Sequence, residues 1–154
     1  MVLSSLEFWG YDVTDVYFFG HCKVLPGTSK TIEGLDFGDQ CWNKTALENF
    51  CKGTLAKYTD KGTEIHFRHC YVGAAENQEL FKNLAKWSGR TCTGVDGTVN
   101  MSSKEKKNAD GTDKPDYEFM GNLMQTKPGE QPTIAWQRII ESWEGNRINP
   151  NQPY

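Results

Sequence analysis

No stretch of this 154-residue chain approaches the roughly 18 consecutive apolar residues that mark a membrane-spanning helix. An excess of positive charge is lacking too. With 17 Lys and Arg against 20 Asp and Glu, the net charge of −3 supplies no basic field for nucleic acid. The opening "MVLSSLEFWG" has neither a positive n-region nor a long apolar h-region, so no secretory signal peptide is visible. Cytoplasmic residence, leaderless export and excision from a longer parent chain all stay open. There is no Gly-rich phosphate loop, since "GTVNMSSKEKK" lacks the spacing, and no G-x-S-x-G elbow. Internal repeats and long low-complexity tracts are absent. The five cysteines (Cys22, Cys41, Cys51, Cys70, Cys92) form no C-x-x-C pair, and their odd number leaves at least one thiol free in a monomer. That count is high for a cytosolic protein and low for a small disulfide scaffold, so the redox compartment stays open. The sequons at Asn43 and Asn100 would matter only in a eukaryotic secretory pathway.

What is present is a foldable chain. Hydrophobic residues make up 37%, which is low, but five Trp, six Tyr and eight Phe compensate. The length suits one domain over residues 1–154 with a single core. "VYFFG" (16–20) is a short apolar block ending in Gly and reads as a buried strand. "GTSKTIEGLDFGDQ" (27–40) is Gly-rich and polar, predicting a loop that contains a short hairpin. Thr45 with Glu48 makes a capping box, followed by Leu47, Phe50, Cys51, Thr54, Leu55 and Tyr58 at helical spacing, with Gly62 as the stop. Cys51, on that apolar stripe, reads as core. "TEIHF" (63–67) predicts a second strand and residues 75–88 a second helix, with Leu80, Phe81, Leu84 and Ala85 inward and Gly89 as its stop. "RTCTGV" (90–95) predicts a third strand, and the Asp-Gly of "VDGTV" a turn into a fourth near 98–101.

This alternation predicts an α/β domain with a mostly parallel sheet flanked by helices. Residues 102–116 read as a solvated or flexible polar loop, with four Lys, three Asp and one Glu. Pro132 predicts the start of a C-terminal docking helix over about 133–144, carrying Ile134, Trp136, Ile139, Ile140 and Trp143 before Gly145. "INPNQPY" should be irregular.

In open parallel sheets, sites form at the carboxyl ends of the strands. The first strand delivers His21 and Cys22 to that rim; the second delivers His69 and Cys70 if the two strands are parallel. Cys70 also precedes a helix N-terminus, where a thiolate is favoured, especially with an imidazole nearby. His21 would accept the thiol proton or protonate a leaving amine. The backbone N–H groups following Cys70, at Tyr71 and Val72, would face a developing oxyanion.

The blocks "FGHCKV", "FRHCYVGAA" and "FKNLAKWSGRTCTGVDG" resemble those of the caspase-like (clan CD) cysteine peptidases. They are most similar to the bacterial caspase-like domains with "SHG" and "GC-x-x-A/G" blocks. The resemblance covers roughly residues 16–100. It implies a caspase-like fold, a polypeptide substrate or protein partner, no cofactor, and an effector or surface-protein context. It also implies His21 as general base and Cys70 as nucleophile. Asp36, Asp39 and Asp96 would select a basic P1 side chain, although such loop residues are more often solvated. Three departures stand out. Cys22 replaces the Gly after His, His69 precedes the nucleophile, and few residues precede the first strand. The sheet would then be truncated there, or completed by "LEFW" or the C-terminal segment.

Other readings of the same residues remain. Cys22 and Cys70 would end neighbouring strands, close enough for a disulfide that removes the nucleophile. His21, Cys22, His69 and Cys70 are zinc-ligand types, but adjacent strand residues point to opposite faces, so no metal is assigned. His66, inside the strand, reads as a satisfied or surface histidine, and Trp42 and Trp87 read as packing residues. An inactive relative acting as a binding or effector module is the alternative to a peptidase. A small secreted module stapled by disulfides is the third reading.

Overall fold

The three segments read as strands at 16–20, 63–67 and 90–95 fall in one sheet in the computed structural model of the protein, which describes residues 13–101, 106–107, 113–114 and 117–137. The first lies at the sheet edge with Val16 alone buried, rather than as a buried strand. Strand β1 (Asp15–Phe19) pairs in parallel with β5 (Glu64–Arg68), and β5 in parallel with β6 (Thr91–Val95). Beyond β6 come β11 (Asn122–Thr126) and β12 (Thr133–Gln137), each antiparallel to its neighbour. The order is β1-β5-β6-β11-β12, so β11 alone runs against the other four. The fold is therefore α/β with a mixed, mostly parallel five-stranded sheet and two helices packed on it.

Alternation sorts the faces. Val16, Ile65, Phe67 and Cys92 point to the helices and share a core with Leu47, Phe50, Cys51, Leu55, Leu80, Phe81 and Leu84. Helix α1 is capped by Asn43, whose Oδ1 accepts from the Ala46 N–H at 2.9 Å. The start predicted at Thr45 is therefore two residues late, because Asn43 already satisfies the orphan donor. The helix runs Lys44–Phe50, widens into a π turn over Cys51–Leu55, and closes over Ala56–Tyr58. It stops at extended Thr59 rather than Gly62. There the Arg90 guanidinium donates to the carbonyls of Ala56 (3.0 Å) and Thr59 (2.7 Å), satisfying the helix end from a distant residue. Helix α2 (Gln78–Ser88) follows a 3-10 turn (Ala75–Asn77), buries the four residues expected of it, and ends at Gly89 with φ +68°.

The polar stretch at 27–40 holds the short hairpin expected there, β3 (Ile32–Phe37) with β4 (Gln40–Asn43), and β2 (Cys22–Val24) joins it in a three-stranded antiparallel sheet. Ile32 and Leu35, at 2% and 0% exposure, hold it to the main core, and Asn77 Oδ1 accepts from the Ile32 N–H at 2.9 Å. The expectation of a docking helix at 133–144 is corrected, since residues 133–137 form no helix. They are strand β12, reached from β11 through a turn in which Glu130 N–H donates to Lys127 O at 3.0 Å. The open edge of β11 supplies backbone partners that outcompete a helical turn after Pro132. Ile139, Ile140, Trp143 and Gly145, like "LEFW" and "INPNQPY", lie outside the described residues. Within the polar 102–116 stretch, β8 (Lys106–Lys107) pairs with β9 (Asp113–Lys114), while β7 (Val99–Met101) pairs with β10 (Tyr117–Phe119). No helix among the described residues is long and apolar enough to cross a membrane.

Candidate active site

The ladder between β1 and β5 ends on the pair Phe19 and Arg68. His21 and Cys70 each follow two residues later, at the carboxyl ends of adjacent parallel strands. Chain closure at this rim is tight. A Cβ on Gly20 would stand 2.4 Å from Asp36 O and 3.0 Å from His69 Nε2, so only glycine lets β1 hand over to β2 here. His21 is exposed, and its carbonyl accepts from the Asp36 N–H at 2.9 Å, tying the His21 loop to β3.

Cys70 is half-buried. Val99 N–H donates to its Sγ at 3.2 Å, and its S–H points to Val99 O at 3.5 Å. The backbone N–H stabilises negative charge on sulfur, while the carbonyl holds the thiol form. Tyr71 follows with φ +65°, a left-handed conformation unusual for a tyrosine, which turns the chain sharply towards α2. The Tyr71 N–H donates to Gly97 O at 2.9 Å and is thus engaged. Val72 N–H has no acceptor among the described residues. Gly73 N–H donates to Val95 O at 2.9 Å, so the 95–99 segment runs along the whole turn after Cys70.

His69 lies beneath this rim, under Gly20. It is fully buried, stacks obliquely on Phe37 at 5.2 Å, and donates Nε2–H to Asp36 O at 2.8 Å. Its Nδ1 has no hydrogen-bond partner among the described residues. Burial lowers its pKa to about 4, opposed by the Asp36 contacts and reinforced by the charge of His21. Cys22, half-buried at the start of β2, has its thiol pKa raised, first by burial and next by the charge of Cys70. All five cysteines are free thiols, with Cys51 and Cys92 buried in the core. Burial pushes the Cys51 thiol up to about 12, consistent with an inert packing residue.

The three aspartates separate. The Asp36 carbonyl holds His69, and its carboxylate adds to the effect of burial in raising the pKa values of the Cys22 and Cys41 thiols. Asp39 is exposed in the β3–β4 turn. Asp96 accepts from Asn122 N–H at 2.7 Å and Asn122 Nδ2 at 3.1 Å. It also lines a cavity of about 270 Å³ with Gly73, Ala74, Met124 and Ile134, beside the turn that follows Cys70. Trp42 stacks on Phe37 at 4.6 Å and packs against the core, as does Trp87.

His21, Cys22, His69 and Cys70 do not bring three ligand atoms within 4.8 Å of one another. Among the described residues, the group that does is Asp15, Glu64 and His66. Sequence reasoning missed this group, and it missed the grip of Val99 on Cys70. The first was foreshadowed by acidic residues opening two adjacent strands, the second by nothing local. No family model, curated protein or solved structure matches the chain.

Proposed function

We propose that the protein is a cysteine peptidase of the caspase-like type, with His21 and Cys70 as its dyad. The observation that carries this reading is the in-register parallel pairing of β1 with β5. It sets His21 and Cys70 at one rim, two residues beyond the last ladder pair.

Cys70 transfers its proton to His21, and the thiolate attacks the scissile carbonyl carbon. The Val99 N–H, 3.2 Å from Sγ, steadies the thiolate before attack. Val72 N–H is unengaged but belongs to a fully buried residue, so it meets an oxyanion only if the turn after Cys70 shifts. The C–N bond then breaks, His21 returns the proton to the leaving amine, and a thioester remains on Sγ. Water activated by His21 releases the acid. Asp96, which lines the cavity beside the turn after Cys70, supplies negative charge for a basic P1 side chain. Cys22 favours a second reading, in which the site is inert and binds a protein partner. Its thiol is influenced by Cys70 and stands where the resembling family has Gly.

Thiol alkylation from pH 5 to 9 with peptide mapping, in wild type and His21→Ala, separates the two. The peptidase reading expects Cys70 to react fastest below pH 7 and to slow at least about tenfold without His21. Reaction at the pace of Cys41, unchanged in His21→Ala, would remove it. A basic-residue peptide substrate screen follows only from the first outcome.

A further inference from the structure

The far end of the β1–β5 pair carries a second constellation, independent of the dyad. The register sets Asp15 directly beside Glu64, two carboxylates on adjacent strands where like charges repel. His66 lies two residues on, on the same face, and is 6% exposed. Its Nε2 lies 2.7 Å from Asp15 Oδ1, and its Nδ1 lies 2.6 Å from Thr93 Oγ1. That hydroxyl is itself fixed by Arg68 Nη1 at 3.0 Å, and the Tyr17 ring stacks on the imidazole at 4.3 Å. The Glu64 carboxylate has no hydrogen-bond or ion-pair partner among the described residues. One ligand atom from each of Asp15, Glu64 and His66 falls within a 4.8 Å group.

We propose that Asp15, Glu64 and His66 form a binding site for a divalent transition-metal ion of the zinc class, clasping β1 to β5. One imidazole nitrogen and two carboxylate oxygens match a three-ligand site that leaves a fourth position to water. Hard calcium would want six to eight oxygens, which this face does not offer. The ion takes the Nε2 lone pair as the imidazole proton moves to Nδ1, where it donates to Thr93 Oγ1. No proton need leave the protein. The Thr93 and Arg68 contacts then act as the outer shell that orients a metal-bound histidine. Asp15, with its side chain 44% exposed, leaves the site open to solvent.

The test is calorimetric titration of the intact chain with Zn²⁺, repeated with Co²⁺ while the visible spectrum is recorded. Glu64→Gln is the main variant, because it preserves shape at a partly exposed position; Asp15→Asn is the second. The expected result is one equivalent bound, a Co²⁺ spectrum without sulfur charge transfer, and affinity lowered at least about tenfold in either variant. Zinc should also raise the melting temperature of wild type but not of Glu64→Gln. Absence of binding, or binding with sulfur charge transfer that Glu64→Gln leaves unchanged, overturns the site and assigns any zinc to the thiols. Neither result bears on the alkylation of Cys70.

Discussion

Cys22 and Cys70 sit on opposite sides of a functional question. Each is half-buried, and each thiol is free. Cys22 opens β2 just after β1, and Cys70 follows β5, the strand paired with β1, so the two thiols stand at the same rim, where oxidation would join them. Mild oxidation by oxidised glutathione is therefore expected to yield a Cys22–Cys70 disulfide in wild type, with glutathione released, and a Cys70–glutathione mixed disulfide in Cys22→Ala. Mass mapping checks it, and a glutathione adduct on Cys70 in both proteins would refute it. At this scale the sequence was legible where residue type alone mattered: Cys51 on an apolar stripe is buried core. It was silent on His69, which follows strand β5 yet turns into the core to bond Asp36, 33 positions away.

Elements were legible where their pattern was local. The stripe in α1 and the left-handed stop of α2 at Gly89 need only the helix's own periodicity. The start of α1 was misread because two candidate caps lie two residues apart, and only the geometry of β4 entering the helix selects Asn43. Asn43→Ala is expected to cost about 1 kcal/mol in urea unfolding, whereas Thr45→Ala should change stability by less than about 0.5 kcal/mol. Equal losses would restore the cap predicted at Thr45. Strand β12 is the harder case. "TIAWQ" follows Pro132, a common helix opener, but Ile134 lies opposite Met124 in the β11 ladder. A strand's partner is chosen by the rest of the molecule, so its own residues do not announce it.

For the whole molecule, the main sheet and the three-stranded β2–β4 sheet meet at a buried bond between His69 and Asp36 O. His69 has its pKa lowered to about 4 from 6.5. Between those values the unfolded chain binds a proton that the folded chain refuses, so stability rises with pH across that window. Acidification from 6.5 towards 4 should cost on the order of 3 kcal/mol from this residue. The lowered His66 pKa adds in the same direction. Chemical denaturation of wild type and His69→Phe at several pH values measures it. The variant should show a shallower dependence between pH 4 and 6.5, and parallel curves would assign the acid sensitivity to other groups.

Sequence by itself determined the alternation of strand and helix from β1 to β6, because apolar period and stop residues act over a few neighbours. From that alternation alone, His21 and Cys70 could be expected at one rim. Only the tertiary structure decided that β12 closes the sheet edge as a strand and that β2 to β4 fold over the rim. The same holds for Val99 against the Cys70 sulfur and for the grouping of Asp15, Glu64 and His66. These depend on which backbone edges and side chains meet across 27 to 51 positions of chain. Such contacts are set by burial and hydrogen-bond satisfaction of the assembled molecule, which no local pattern encodes.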